Sequence, residues 1–131
     1  MSSLLSSDAA KPAHIYRLDD IPYLRGKFGQ SKILVGTGIL VIWGEVNAGL
    51  ETPRHNHINE QVTWILEGSV DYQVDDGPVT TCGPGTVIHI PPMVWHQSWY
   101  REPCKLLELF NPPRYDMHPG AATHIHGVVS P

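Results

Sequence analysis

Two histidines stand two residues apart near the middle of the chain, and a third follows later, just past another predicted strand. On a β-strand, the spacing of His55 and His57 sends both side chains to one face, and Gln61 shares their parity. The third histidine is His96. Three imidazoles and an amide oxygen could surround one divalent metal ion, because imidazole suits Zn, Cu, Fe and Ni, and oxygen donors extend the list to Mn.

Short strands separated by turns are the elements that must position these side chains. Gly and Pro number 12 each in a chain of 131 residues, and both are unfavourable inside helices. No apolar pattern with a helical period is sustained, whereas runs rich in β-branched residues recur between turn residues. The pattern predicts an all-β sandwich or barrel, with a first strand over Ala13–Leu18.

The length predicts one domain, with a flexible arm at 1–12, the folded domain at 13–116 and a C-terminal tail at 117–131. A formal net charge of −4 does not fit a nucleic-acid partner. Without a basic n-region or a long apolar run, the sequence indicates neither a signal peptide nor a membrane span, so we expect a cytoplasmic location. There Cys82 and Cys104 are expected to be free thiols.

Two spaced motifs resemble those of the cupin superfamily. The first has Gly49, five residues, His55-Asn56-His57, three residues, Gln61, six residues and Gly68. The second has Gly85, five residues, Pro91-Pro92-Met93, two residues and His96. The family usually has Glu, Gly and Asn where this chain has Gln61, Met93 and Tyr100. The resemblance implies a cupin jelly-roll β-barrel.

The resemblance also implies a divalent transition metal as cofactor (Ni, Fe, Mn, Zn or Co), with His55, His57, Gln61 and His96 as ligands. Glu60 is an alternative to Gln61, although its strand parity is opposite to that of His57. Gln cancels none of the metal charge, so the ion keeps more Lewis acidity while oxidised iron is less well stabilised. That favours polarisation of an oxygen over chemistry with O₂.

A narrower similarity is to the pectin-degradation cupins of the KdgF type. It is carried by residues 55–68, by Cys82-Gly83-Pro84-Gly85, and by residues 108–116. Those enzymes open the ring of 4,5-unsaturated monouronates and give a linear keto sugar acid. By position, their acid, aromatic and arginine correspond to Glu108, Phe110 and Arg114, with Asp in the family where Glu108 stands.

Glu108 and Phe110 share strand parity, so both can face the barrel interior. There Glu108 would move a proton, Phe110 would pack on the substrate ring, and Arg114 would bind a carboxylate through two parallel hydrogen bonds. We therefore expect a metal-dependent enzyme that catalyses a non-redox ring-opening, isomerase or lyase step. Its substrate would be a small, oxygen-rich anion, most like an unsaturated monouronate.

Two other functions fit the same residues. Three histidines with open coordination sites permit an iron- or nickel-dependent dioxygenase or a polyketide-cyclase-type cupin, and a non-catalytic small-molecule-binding cupin is the third class.

Small cupins that resemble this chain are usually homodimers, so a homodimer is expected. His89 is expected inside the barrel, facing the cavity or packed in the core, and His124 and His126 on a solvated or interface segment.

Overall fold

The computed structural model describes residues 13–114 and 127–128 of the chain. These residues form one short 3-10 turn at Leu18–Asp20 and eleven β-strands. The strands are β1 (Leu24–Gly26), β2 (Gly29–Val35), β3 (Leu40–Val46), β4 (Glu51–His55), β5 (Glu60–Gly68), β6 (Val70–Val74), β7 (Thr80–Cys82), β8 (Val87–Ile90), β9 (His96–Trp99), β10 (Cys104–Asn111) and β11 (Gly127–Val128). Within the described ranges, no helix is long and apolar enough to cross a membrane.

The strands form two antiparallel sheets. The larger has the order β1-β2-β3-β10-β5-β8, with β11 paired to β2, and the smaller has the order β4-β9-β6-β7. From β3 to β10 the chain crosses between the two sheets at every connection except the one from β6 to β7, so most consecutive strands lie on opposite walls. This arrangement confirms the predicted all-β jelly roll.

Strand alternation places two apolar clusters inside the fold. Along β10, Leu106 and Phe110 are buried, and both face the interior. The first cluster contains Ile65, Val70, Tyr72, Cys82, Ile88, Ile90, Tyr100, Cys104 and Leu106. The second contains Ile33, Val35, Leu40, Ile42 and Phe110. Both cysteines are free, as expected from the sequence, and both are buried.

The predicted strand over Ala13–Leu18 is wrong. These residues pair with no strand among those described, and Ile15 is fully exposed. The first strand is instead β1, which pairs with β2 through a short hairpin. A β-branched residue favours a strand only where a partner edge and a surface to pack on are available.

Gly68 lets the chain turn sharply between the two sheets. It ends β5 with φ at 73°, and it approaches β10 so closely that an added Cβ would clash with the Pro103 carbonyl oxygen. Gly85 also has a positive φ, 86°, but its surroundings are open. Gly85 is therefore needed for its backbone conformation alone, and Gly68 for its conformation and its close approach to the neighbouring backbone.

Candidate metal centre

Three histidines meet at one end of the barrel. His55 ends β4 and His96 begins β9, and the two residues are paired across these strands. His57 lies in the loop before β5, so the predicted placement of both first-motif histidines on one strand is wrong. The three rings nevertheless converge, with one potential ligand atom from each lying within 4.8 Å of the others.

A backbone carbonyl fixes the orientation of each ring. Nδ1 of His55 lies 2.7 Å from the Pro53 oxygen, and Nδ1 of His96 lies 2.9 Å from the Val94 oxygen. Nδ1 of His57 lies 2.9 Å from the Asn59 oxygen. Because a carbonyl oxygen only accepts, each Nδ1 carries a proton, so in the neutral form of the ring it is Nε2 that has the free lone pair. Metal-binding histidines are commonly held in this way.

The histidine environment favours neutral rings. Burial is the main cause that lowers the pKa of His96 to about 4, and the nearby rings of His55 and His57 contribute to the same shift. The pKa of His57 is also lowered, first by burial and then by the positive charge of Arg114. Both rings are therefore unprotonated on Nε2 at neutral pH, which is the state that binds a metal ion.

Gln61 brings an amide to the same cluster. The residue faces inward from β5 and is buried, and its Oε1 lies 3.1 Å from Nε2 of His57. Its Nε2 donates to Thr63 Oγ1 at 2.9 Å, with Tyr72 Oη and Glu108 Oε2 each at 3.4 Å. Three acceptors around the nitrogen thus direct the amide oxygen toward the histidines.

The contact between His57 and Gln61 is what a cation site requires. With the ring proton on Nδ1, the Nε2 lone pair of His57 faces the amide oxygen of Gln61, so two acceptors approach each other. A cation bound by both atoms satisfies this arrangement, whereas two bare acceptors repel. The donor set, three imidazole nitrogens and one amide oxygen, therefore fits a divalent transition metal.

The alternative ligand Glu60 lies on the opposite face of β5. Its Oε2 is 2.6 Å from Nε2 of His89, and both side chains are about half exposed. Neither residue reaches the three-histidine cluster. The expectation of an inward-facing His89 is therefore wrong: in β8, Val87 and His89 face outward, while Ile88 and Ile90 are buried.

Glu108 is the carboxylate next to the cluster. It lies on β10 between Ile42 of β3 and Thr63 of β5, with its side chain toward the Gln61 amide. Burial of the carboxyl raises the pKa of Glu108 to about 7, although the positive charge of Arg114 works in the opposite direction. The group is thus poised between its two protonation states near neutral pH.

Phe110 and Arg114 complete this end of the barrel. The Phe110 ring meets the His57 ring edge to face at 5.9 Å, and the Arg114 guanidinium lies 5.6 Å from the Phe110 ring centre. Phe110 is only 2% exposed, so its contacts are with the protein. The structure therefore brings all three predicted residues, Glu108, Phe110 and Arg114, close to the histidines.

Three polar contacts connect the loops around the site. The Met93 backbone N–H donates to the His57 carbonyl at 2.8 Å, and Asn56 Nδ2 donates to the Met93 carbonyl at 3.1 Å. Met93 has φ at 67°, a conformation that favours glycine, which explains why cupins usually have Gly there. Buried Asn59 donates to the Pro112 carbonyl and joins the His57 loop to the segment before Arg114.

Sequence analysis did not identify Thr63 as a site residue. Thr63 is fully buried and accepts the shortest hydrogen bond that the Gln61 nitrogen donates. The available signal was its position, two residues after Gln61 and therefore on the same face of β5. His124 and His126, which had been expected on a solvated or interface segment, lie outside the described residues.

Comparison with known proteins places this geometry in a family. Residues 42–110 match the cupin domain. Among solved structures, an RmlC-like cupin from Shewanella frigidimarina NCIMB 400 is 22% identical with a TM-score of 0.73, and the match covers 82% of this chain and 97% of that one. KdgF from Halomonas sp. is 20% identical with a TM-score of 0.71, covering 80% and 100% of the two chains.

The polyketide cyclase RemF from Streptomyces resistomycificus is 24% identical with a TM-score of 0.63, covering 76% of this chain and 80% of that one. No curated protein matches the sequence significantly. At these identities the solved structures show a shared fold, while the domain match covers more than half of the chain. Two motifs in order, a jelly roll and a converged histidine cluster lead to one conclusion: the chain belongs to the cupin family.

Proposed function

We propose that this cupin is a metal-dependent enzyme that moves protons without redox chemistry, in a ring-opening, isomerase or lyase step. Its substrate is a small, oxygen-rich anion of the unsaturated monouronate type. The ligands are Nε2 of His55, His57 and His96 together with Oε1 of Gln61. When bound, the divalent ion supplies Lewis acidity that polarises a substrate hydroxyl or carbonyl oxygen.

The observation that carries the proposal is the environment of Glu108. Its carboxyl lies beside the Gln61 amide, and in the metal-free protein desolvation raises its pKa to about 7. A group that exchanges its proton near neutral pH is suited both to accept a proton and to return it. Perturbed carboxyls of this kind are concentrated at active sites.

Proton transfer by Glu108 accounts for ring opening without an external reagent. The anomeric hydroxyl loses a proton, the ring C–O bond breaks as the carbonyl forms, and the enol carbon gains a proton. The net change is isomerisation, because one proton leaves one atom and one proton reaches another. Arg114, held over the Phe110 ring, binds the substrate carboxylate, while Phe110 positions both Arg114 and His57.

The direct test is turnover of unsaturated galacturonate, followed as loss of the enol-ether absorbance. Protein loaded with Mn, Fe, Co, Ni or Zn is compared with the spontaneous reaction. We expect acceleration with at least one metal, and about a hundredfold or greater loss in Glu108→Gln with metal content unchanged. Acceleration with none of the five metals would contradict the proposed substrate.

Glu60→Gln is the matched control, because Glu60 is a carboxylate on the outer face of β5. This variant should keep full activity. Oxygen consumption distinguishes the dioxygenase alternative, since the proposed reaction proceeds equally well without air. A ligand whose affinity changes in Glu108→Gln, with turnover absent in both proteins, would instead indicate a binding protein.

A further inference from the structure

A cavity of about 300 Å³ lies beside the inner face of β3 and β10. The residues that line it include Leu24, Phe28, Ile42, Leu50, Leu106 and Glu108. None of the three clustered histidines lines it, and neither do Gln61, Phe110 and Arg114. The cavity therefore contains none of the proposed metal ligands, and it adjoins the candidate metal centre at Glu108.

Small residues at paired inward positions create this space. Ser31 of β2 lies directly opposite Gly44 of β3, and Gly44 lies opposite Leu106 of β10. In the neighbouring row, Ile33, Ile42 and Glu108 occupy the equivalent positions. The space opens to solvent, so it is a cleft that a ligand can enter, and its volume lies at the lower end of the range for small-molecule pockets.

The chemistry of the lining defines the ligand class. Aliphatic and aromatic side chains form the inner walls, and Glu108 is the acidic residue on the inner face of β10 that lines them. Charged residues of opposite sign, Arg25 and Glu45, also line the cavity, and Glu45 accepts a hydrogen bond from Gln30 Nε2 at 3.3 Å. A carboxyl has several acceptor positions, and the Gln61 amide approaches one of its oxygens at 3.4 Å.

We propose that this cavity binds a small, mainly apolar alcohol or phenol whose hydroxyl donates to Glu108. The apolar body of the ligand contacts Leu24, Ile42 and Leu106. Binding here needs no metal, so the proposal is independent of the reaction proposed above. Its occupant would nevertheless contact the carboxyl to which we assign proton transfer.

The test is titration of the metal-free, full-length protein with phenol and with toluene. Calorimetry gives the affinities, and methyl NMR shifts locate the site. We expect phenol to bind with shifts centred on Leu24, Ile42 and Leu106, and to bind about tenfold more tightly than toluene. In Glu108→Leu this preference should disappear, because the hydroxyl loses its partner.

Gly44→Val should weaken phenol binding about tenfold or more by filling the space. Since an added Cβ would lie 3.0 Å from Leu106 Cδ1, Gly44→Ala is a milder second variant with a smaller loss. Trp43→Phe, on the opposite face of β3, is the control and should bind phenol normally. Three results would overturn the proposal. They are no phenol binding to the wild type, NMR shifts centred on other residues, and phenol affinity in both Gly44 variants equal to that of the wild type.

Discussion

The side chain of Gln61 ends in an amide, whose oxygen can bind a metal ion and whose nitrogen cannot. The Glu that cupins usually have offers two equivalent oxygens, so either orientation presents a ligand. An amide offers one oxygen and one nitrogen, and the nitrogen cannot bind a metal ion in its place. The hydrogen bonds that Gln61 Nε2 donates to Thr63 and Tyr72 therefore fix the orientation of the amide, so that its oxygen faces the histidines. A carboxylate ligand would not need this support.

Thr63→Val tests this orientation. Valine keeps the shape and the strand preference but accepts no hydrogen bond, so the Gln61 amide loses its nearest anchor. We expect the affinity for Ni or Zn, measured by calorimetry on chelator-treated protein, to fall about tenfold. Thr63→Ser retains the hydroxyl and should bind the metal normally. Equal affinities in the wild type and both variants would mean that the amide needs no such support.

At the scale of the strands, two glycines mark places where the chain passes from one sheet to the other. Gly68 is the last residue of β5, where the chain leaves the larger sheet for the smaller one. Gly85 precedes β8, where the chain returns. Both have a positive φ, and they differ in whether backbone from another strand approaches them.

Alanine substitution should separate these two requirements. Gly85→Ala is expected to lower the free energy of unfolding by about 1 kcal/mol, the cost of a left-handed conformation with a Cβ. Gly68→Ala should cost several times as much, because the Pro103 carbonyl must also move. Urea denaturation of both variants measures the difference. A cost for Gly68→Ala no larger than that for Gly85→Ala would show that β10 adjusts freely.

The inward face of a strand could be predicted from the sequence where its apolar residues occupy only every second position. Alternation correctly put Gln61 and Glu60 on opposite faces of β5. It failed for His89, because apolar residues occupy both parities of β8 and alternation does not say which face is inward. It also failed at His57, since β4 ends at His55 and strand parity does not extend through a loop.

On the scale of the whole molecule, both walls of the barrel contribute to the metal centre. His55 and His96 come from the smaller sheet and Gln61 from the larger one. An ion bound by all of them would hold the two sheets together. Because such an ion binds the folded chain and not the unfolded one, it should stabilise the fold.

The expected homodimer, cytoplasmic location and domain boundaries stay predictions.

Thermal unfolding tests that link between the sheets. Saturating Ni or Zn should raise the Tm of the wild type by roughly 5–10 °C. His96→Ala should lose most of this increment, measured against its own metal-free form. His89→Ala is the control, because His89 is an exposed histidine outside the cluster, and it should keep the full increment. The same increment in His96→Ala would mean that the ion binds elsewhere.

Each clustered ring is held by a carbonyl only two residues away along the chain. The ring orientations are therefore set by short stretches of backbone that already belong to the folded barrel. For an arriving ion this means that little of the polypeptide would remain to be ordered, and that the His57 and His96 rings would have no proton to release from Nε2 at neutral pH. The main change on metal uptake would then be the loss of water molecules from the ion, so we expect dehydration of the ion to set the rate and the heat of binding.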